Sequence, residues 1–177
     1  KGGSINKMIA EIYGKETGCS SGKGGSMHLI DLKVNFMGSS AIVGNSIPIG
    51  VGLGFSIKLK KNNKQLSLIF FGDAAVEEGV FYESLNFAIL KKLPVIFVCE
   101  NNYYSVYSSL KDRQPKNRKI FNMVKNFGIK SYFFNLNNPL DNFLKLSKIF
   151  SKVREKQEPV FIEFSTYRWR EHCGSDY

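Results

Sequence analysis

The 177-residue chain carries 25 basic and 15 acidic side chains, a net charge of +10, with 43% apolar residues. That is the size and composition of one ordinary globular domain with a real core, and no apolar run reads as a membrane span or an opening signal peptide. The three cysteines, Cys19, Cys99 and Cys173, lack CxxC spacing, which argues against a disulfide framework or zinc site and for reduced thiols in a cytoplasmic protein.

Residues 1–13 place Ile5, Met8, Ile9 and Ile12 at helical spacing and predict a short helix. Gly14 to Gly25 is polar and glycine-rich, hence a loop, and an irregular stretch follows Met27-His28-Leu29-Ile30. Ser46 followed by Pro48 signals a helix start. That helix, reaching about Lys60, holds Gly50, Gly52 and Gly54, each about 1 kcal/mol weaker than alanine. Such glycines predict close approach of another backbone, at a subunit contact. The Gly50-Val51-Gly52-Leu53-Gly54 run lacks a preceding strand and the GxGxxG spacing, so it is not read as a nucleotide loop.

Leu66 to Phe71 is an apolar strand ending in Gly72-Asp73-Ala74-Ala75. A helix of about Glu77 to Lys91 follows, with Phe81, Leu85, Ala88 and Ile89 on one face, and stops before Pro94. A second strand, Val95 to Cys99, ends in Glu100-Asn101-Asn102; Cys99 reads as a small core residue. Residues 103–120 are aromatic and then basic, without clear period. A third strand near Ser131 to Leu136, a Pro139-initiated helix to about Arg154 and a fourth strand, Val160 to Phe164, complete the pattern. Continuous apolar strands alternating with helices predict an α/β fold, a doubly wound and mainly parallel sheet in a single domain. The basic residues, such as Lys58, Lys60, Lys61, Lys64, Lys116, Arg118 and Lys119, are scattered lysines more than an arginine-rich patch, against a nucleic-acid partner.

If the first two strands are parallel neighbours, Asp73 and Asn102 reach the same sheet edge, where open α/β sheets bind ligands. One carboxylate and one amide oxygen form a partial shell for Mg²⁺, completed by substrate phosphates and water. The segment therefore predicts a bound diphosphate carried by a divalent metal. Taken singly, Asp73 could be only a turn residue capping a helix and Asn101-Asn102 only a loop. His28 could position a cofactor or substrate loop or be structural, His172 could be a solvated loop residue, and Tyr103, Tyr104 and Tyr107 could line a site or form core.

Together these stretches resemble the α subunit of the E1 component of 2-oxo acid dehydrogenase complexes, the thiamine-diphosphate-dependent pyruvate, branched-chain 2-oxo acid and acetoin dehydrogenases. The resemblance rests on Gly22-Lys23-Gly24-Gly25-Ser26-Met27-His28, Ile42-Val43-Gly44, Gly72-Asp73-Ala74-Ala75, Leu93-Pro94, Glu100-Asn101-Asn102 and Thr166-Tyr167-Arg168, in that order. It implies thiamine diphosphate and Mg²⁺ as cofactors, with Asp73, Asn102 and the Tyr104 carbonyl on the metal. It also implies a diphosphate at Gly72, Ala74 and Ala75, and an aminopyrimidine ring against the backbone of Ala41 and Val43 and the side chain of Ile42. Arg168 and His172 match a loop at the diphosphate end, and His172 is the expected catalytic proton donor or acceptor. The implied partners are an E1 β subunit in an α₂β₂ assembly, which supplies the activating glutamate, a lipoyl-bearing E2 and a small 2-oxo acid.

The chain departs from the family pattern at three places. Ala74 stands where Gly-Asp-Gly is usual, so the turn must use a conformation alanine tolerates. Cys173 stands where many relatives carry a regulatory phosphoserine, and Trp169-Arg170-Glu171 replaces small or His-containing residues. The start at Lys1 and stop at Tyr177 suggest a fragment of a longer subunit. A transketolase-like enzyme and a non-catalytic anion- or nucleotide-binding module are the rival readings.

Overall fold

The computed structural model describes residues 2–136 and 138–174 and divides into two compact units, Lys1–Ser46 and Ile47–Tyr177. In the first unit, helix α1 (Ile5–Ile12) starts on Ser4, whose hydroxyl accepts the Lys7 amide. The predicted helix is present, but its apolar residues Ile5, Met8, Ile9 and Ile12 are exposed. The helical residue that is fully buried is Glu11, which accepts backbone N–H bonds from Ser20 (2.7 Å), Gly22 (2.9 Å) and Gly24 (2.6 Å). Burial alone would raise this carboxyl, yet the three amide donors outweigh it and hold it below the usual glutamate value. The glycine-rich loop is thus wrapped around an acidic side chain. Gly22, at φ +74, sits so close to Gly14 that a Cβ would lie 2.6 Å from its carbonyl carbon.

The second unit is built on a four-stranded, fully parallel sheet in the order β1-β2-β6-β5, as the apolar strand runs predict. In chain order the elements are α2 (Ser46–Leu59), β1 (Ser67–Gly72), a 3₁₀ turn (Asp73–Glu77), α3 (Gly79–Leu90) and β2 (Val95–Asn101). A small antiparallel hairpin of β3 (Tyr104–Ser105) and β4 (Ser108–Ser109) follows, then α4 (Leu110–Arg113) and α5 (Ile120–Lys125). The chain closes with β5 (Lys130–Asn135), α6 (Pro139–Lys156) and β6 (Val160–Ser165). It moves outward from β1 to β2 to β5, then doubles back to insert β6. Right-handed crossovers require the return helix α6 to cover the opposite face from α3 and α5.

Two apolar clusters record this. Val95, Phe97 and Cys99 of β2 face α2, α3 and α5, while Ile96 and Val98 face α6. Both faces being covered is why β2 reads as a continuous apolar run rather than an alternation. Cys99 is a buried core residue, as expected. Phe81 anchors α3: it is fully buried with ring centroids 5.8 Å from Phe71, 6.4 Å from Phe97 and 6.3 Å from Phe161. Burying such a ring stabilises by about 1.5–3 kcal/mol before aromatic geometry adds to it.

Within this chain, two glycines of α2 meet side chains rather than another backbone. Gly50 and Gly54 are buried against side chains of the sheet: a Cβ would lie 2.4 Å from Ile69 Cγ1 at Gly50 and 2.3 Å from Val95 Cγ2 at Gly54. Gly52 points into open space. The short strands and helices between 103 and 125 were invisible as a pattern, because none is longer than six residues.

Candidate functional site

Strands β1 and β2 pair in parallel with Gly72 opposite Glu100, so Asp73 and the Asn101-Asn102 pair emerge side by side at the carboxyl edge. Gly72 is extended, at φ −79 and ψ 167, and Asp73 opens the 3₁₀ turn that precedes α3. Ala74 takes the ordinary negative φ of that turn, so the missing glycine costs nothing there. As at any helix start, the leading amides lack partners within the helix; those of Ala74 and Ala75 are the ones placed at this edge.

The two asparagines divide the work. Asn101 is buried and structural: its Nδ2 donates to Glu163 Oε1 (2.7 Å), its Oδ1 accepts the Tyr103 amide (2.9 Å), and its carbonyl accepts the Thr166 amide (2.9 Å). Asn102, half-exposed, accepts the Tyr104 amide on Oδ1 (2.8 Å), and a carbonyl-type oxygen keeps a second lone pair. The first of these side-chain-to-backbone turns carries Tyr103 through φ +67, and the hairpin turn between β3 and β4 has Val106 at φ +53. They lay β3 against the Asp73–Glu77 turn, which brings Tyr104 to the same corner as Asp73.

Asp73 is 1% exposed, and Arg113 bridges its Oδ2 and Glu77 Oε1 with the two ends of one guanidinium. Gln114 adds a 2.9 Å bond to the same Glu77 oxygen. Burial pushes the Asp73 carboxyl above its usual range, and the guanidinium offsets only part of that. Burial likewise raises Glu163, against the bonds it accepts from Asn101 and from the Phe121 amide (2.7 Å).

Beyond β6, Arg168 donates Nη2 to the Val106 carbonyl (2.7 Å), while its Nη1 is buried without a hydrogen-bond partner. It lines a cleft of about 1030 Å³ at the carboxyl ends of β2, β5 and β6, together with Asn102, Tyr104, Tyr107, Asn135 and Trp169. His172 is exposed on the following loop, which is tied back by a 2.9 Å bond from the Tyr107 hydroxyl to the Cys173 carbonyl. The structure thus gathers Gly72, Asp73, Ala74, Ala75, Asn102 and Tyr104 along one sheet edge, with Arg168 at the neighbouring strand end. Ala41, Ile42 and Val43 belong to the first unit and are exposed there. His28, also exposed, belongs to that unit too.

The donors available are hard: one carboxylate, one amide oxygen and one backbone carbonyl. Among the described residues no three His, Cys, Asp or Glu side chains group as a metal cluster. This set suits an ion that draws its remaining ligands from phosphate and water, as Mg²⁺ does. The unspent Nη1 of Arg168 suits an anionic oxygen. Sequence reasoning missed Arg113 and Glu163 here, and Glu11 in the first unit. Glu163 was detectable as a lone acid inside an apolar strand; Arg113 and Glu11 sit in polar or amphipathic stretches that give no such signal.

A family model described as "Dehydrogenase E1 component" matches residues 1–177. A pyruvate dehydrogenase E1 component subunit alpha from Rickettsia bellii is 40% identical over 96% of this chain and 51% of its own length. The same-named protein of Porphyra purpurea is 34% identical over 99% of this chain and 53% of its own. The chain spans about half the length of the curated relatives it matches. Among solved structures, a transketolase variant from Pichia stipitis superposes with a TM-score of 0.62 at 17% identity, over 72% of this chain and 20% of that one. At that identity the likeness speaks for the α/β fold. No helix among the described residues is long and apolar enough to cross a membrane.

Proposed function

The chain belongs to the dehydrogenase E1 component family, and on that premise we propose that it is the cofactor-binding part of a thiamine-diphosphate-dependent 2-oxo acid dehydrogenase E1 α subunit. Its reaction is oxidative decarboxylation of a 2-oxo acid, with the acyl product passed to a lipoyl group on an E2 partner. Asp73, Asn102 and the Tyr104 carbonyl hold Mg²⁺, the Ala74 and Ala75 amides bind the diphosphate, and Arg168 adds a guanidinium donor. When bound, thiamine diphosphate supplies the carbon nucleophile and the electron sink for decarboxylation. The protein's part is to bind and orient. Asp73, buried and fixed on a rigid strand end, sets the metal's position, and the turn amides set the register of the anion. His172, on an exposed loop past β6, is the group assigned to proton transfer. The aminopyrimidine-activating glutamate is assigned to a β subunit, so the α chain alone is inactive.

One observation carries this reading: the parallel register that puts the buried carboxylate of Asp73 beside Asn101-Asn102. Calorimetry of the full-length protein with its β subunit, titrated with thiamine diphosphate with and without Mg²⁺, tests it. Binding should require Mg²⁺ and be lost in Asp73→Ala. Binding that survives metal removal or that substitution would instead favour a metal-independent anion-binding module.

A further inference from the structure

Arg113 stands out because it is positively charged, largely buried and placed on the very carboxylate that the metal needs. Its guanidinium bridges Asp73 and Glu77, its side chain is 13% exposed, and Gln114 supports Glu77 from the same short helix. Each carboxylate receives one charge-assisted contact from the fork, stronger than a neutral hydrogen bond, and a guanidinium stays charged at all working pH values. Asp73 has two oxygens, and Oδ2 is committed to Arg113. A divalent cation approaching Asp73 therefore meets a carboxylate whose charge is already partly neutralised, with a second positive charge beside it.

The geometry points to Arg113 as a built-in placeholder for the divalent cation: it neutralises Asp73 when no metal is bound and opposes binding of the metal alone. The charges explain why this is useful. Arg113, Asp73 and Glu77 sum to −1. Adding Mg²⁺ alone would leave an excess of +1 at a buried edge, which is costly. Adding the ion with a diphosphate removes that excess. Arg113 thus makes the metal and the anion bind as a pair rather than in sequence. This inference rests on the proposed role of Asp73 as a metal ligand.

Mn²⁺, added alone to the full-length protein with its β subunit and followed by the electron paramagnetic resonance of the free ion, provides the test. Arg113→Met removes the charge and keeps the length, and should bind Mn²⁺ about tenfold more tightly than the unaltered protein, the factor set by about one lost charge-assisted bond. Arg113→Lys, which keeps the charge but cannot span both carboxylates with one planar fork, should tighten Mn²⁺ binding less than Arg113→Met does. If Arg113→Met does not fold, Arg113→Gln repeats the measurement while keeping a donor toward Glu77. Unchanged or weaker Mn²⁺ binding in the folded neutral variant would overturn the inference. Asp73→Asn separates the two levels: if it leaves Mn²⁺ binding intact, the metal assignment itself fails, whatever Arg113 does.

Discussion

Helix α2 contains its own controlled experiment in packing. Gly50, Gly52 and Gly54 share one helix and one intrinsic penalty, yet differ in what a side chain would touch. At Gly54 a Cβ would lie 2.3 Å from Val95 Cγ2, on a fully buried β-branched residue of the central strand β2. Carbon atoms in good contact sit about 3.5–4.0 Å apart, so the helix or the strand must move. The helix cannot shift freely, because the Gly50 carbonyl accepts a 2.6 Å bond from the Ser67 hydroxyl at the start of β1. Overpacking costs about 1–3 kcal/mol, against about 1 kcal/mol gained from alanine's helix propensity. Gly54→Ala should therefore lose up to roughly 2 kcal/mol by that balance. Gly50→Ala, which meets Ile69 Cγ1 at 2.4 Å, should lose a similar amount. Gly52→Ala meets nothing within 4 Å and should gain about 0.5–1 kcal/mol. Across the three variants the midpoints of thermal unfolding should spread by up to about 10 °C for a domain of this size. Urea unfolding followed by far-UV circular dichroism gives the same order. If Gly52→Ala is no more stable than Gly54→Ala, burial against the sheet is not what selects glycine in α2.

The buried carboxylates supply the other two expectations. Glu163→Gln leaves one acceptor oxygen for two donors, Asn101 Nδ2 and the Phe121 amide, and should cost about 1–3 kcal/mol through the orphaned group. Its pH signature has a definite sign. Burial raises the folded-state pKa of Glu163, so its contribution is fully present below the ordinary glutamate value and is lost as pH rises through the folded value. Melting curves of Glu163→Gln should thus fall less steeply than those of the parent over that window; parallel profiles would count against the assignment. Glu11 has the opposite sign: its lowered pKa contributes stability above the ordinary value, lost as pH falls through the folded one. Glu11→Gln should speed amide exchange at Ser20, Gly22 and Gly24 selectively, and unchanged protection there would refute the clamp.

What could be read from the sequence, and what could not, divides along the range of the forces involved. The strands β2 and β6 were legible because a sheet covered on both faces demands apolar residues at nearly every position, and the edge strand β1 keeps an apolar run although its Phe70 is exposed. Once three such strands alternate with helices, Asp73 and Asn102 must emerge at one edge, and the site's frame follows from residues next to each other in the chain. Helix α5 escaped for the converse reason. Its N-cap, Lys119, makes no side-chain capping bond, and the acceptor for the Phe121 amide is Glu163, far along the chain on β6. The same holds for Arg113 on Asp73 and for Glu11 in the glycine loop: in each case a charged group is matched by a partner that only the completed fold delivers. Even α1 shows the limit. Its period was right, yet the apolar positions that define the period are exposed, and the residue that is buried is an acid held by backbone amides. Periodicity reports that a helix forms; which side is covered depends on whether a distant partner pays the desolvation of a carboxylate. An acid lodged in an otherwise apolar run, as Glu163 is in Val160–Ser165, is therefore the one sequence sign that such a distant partner exists.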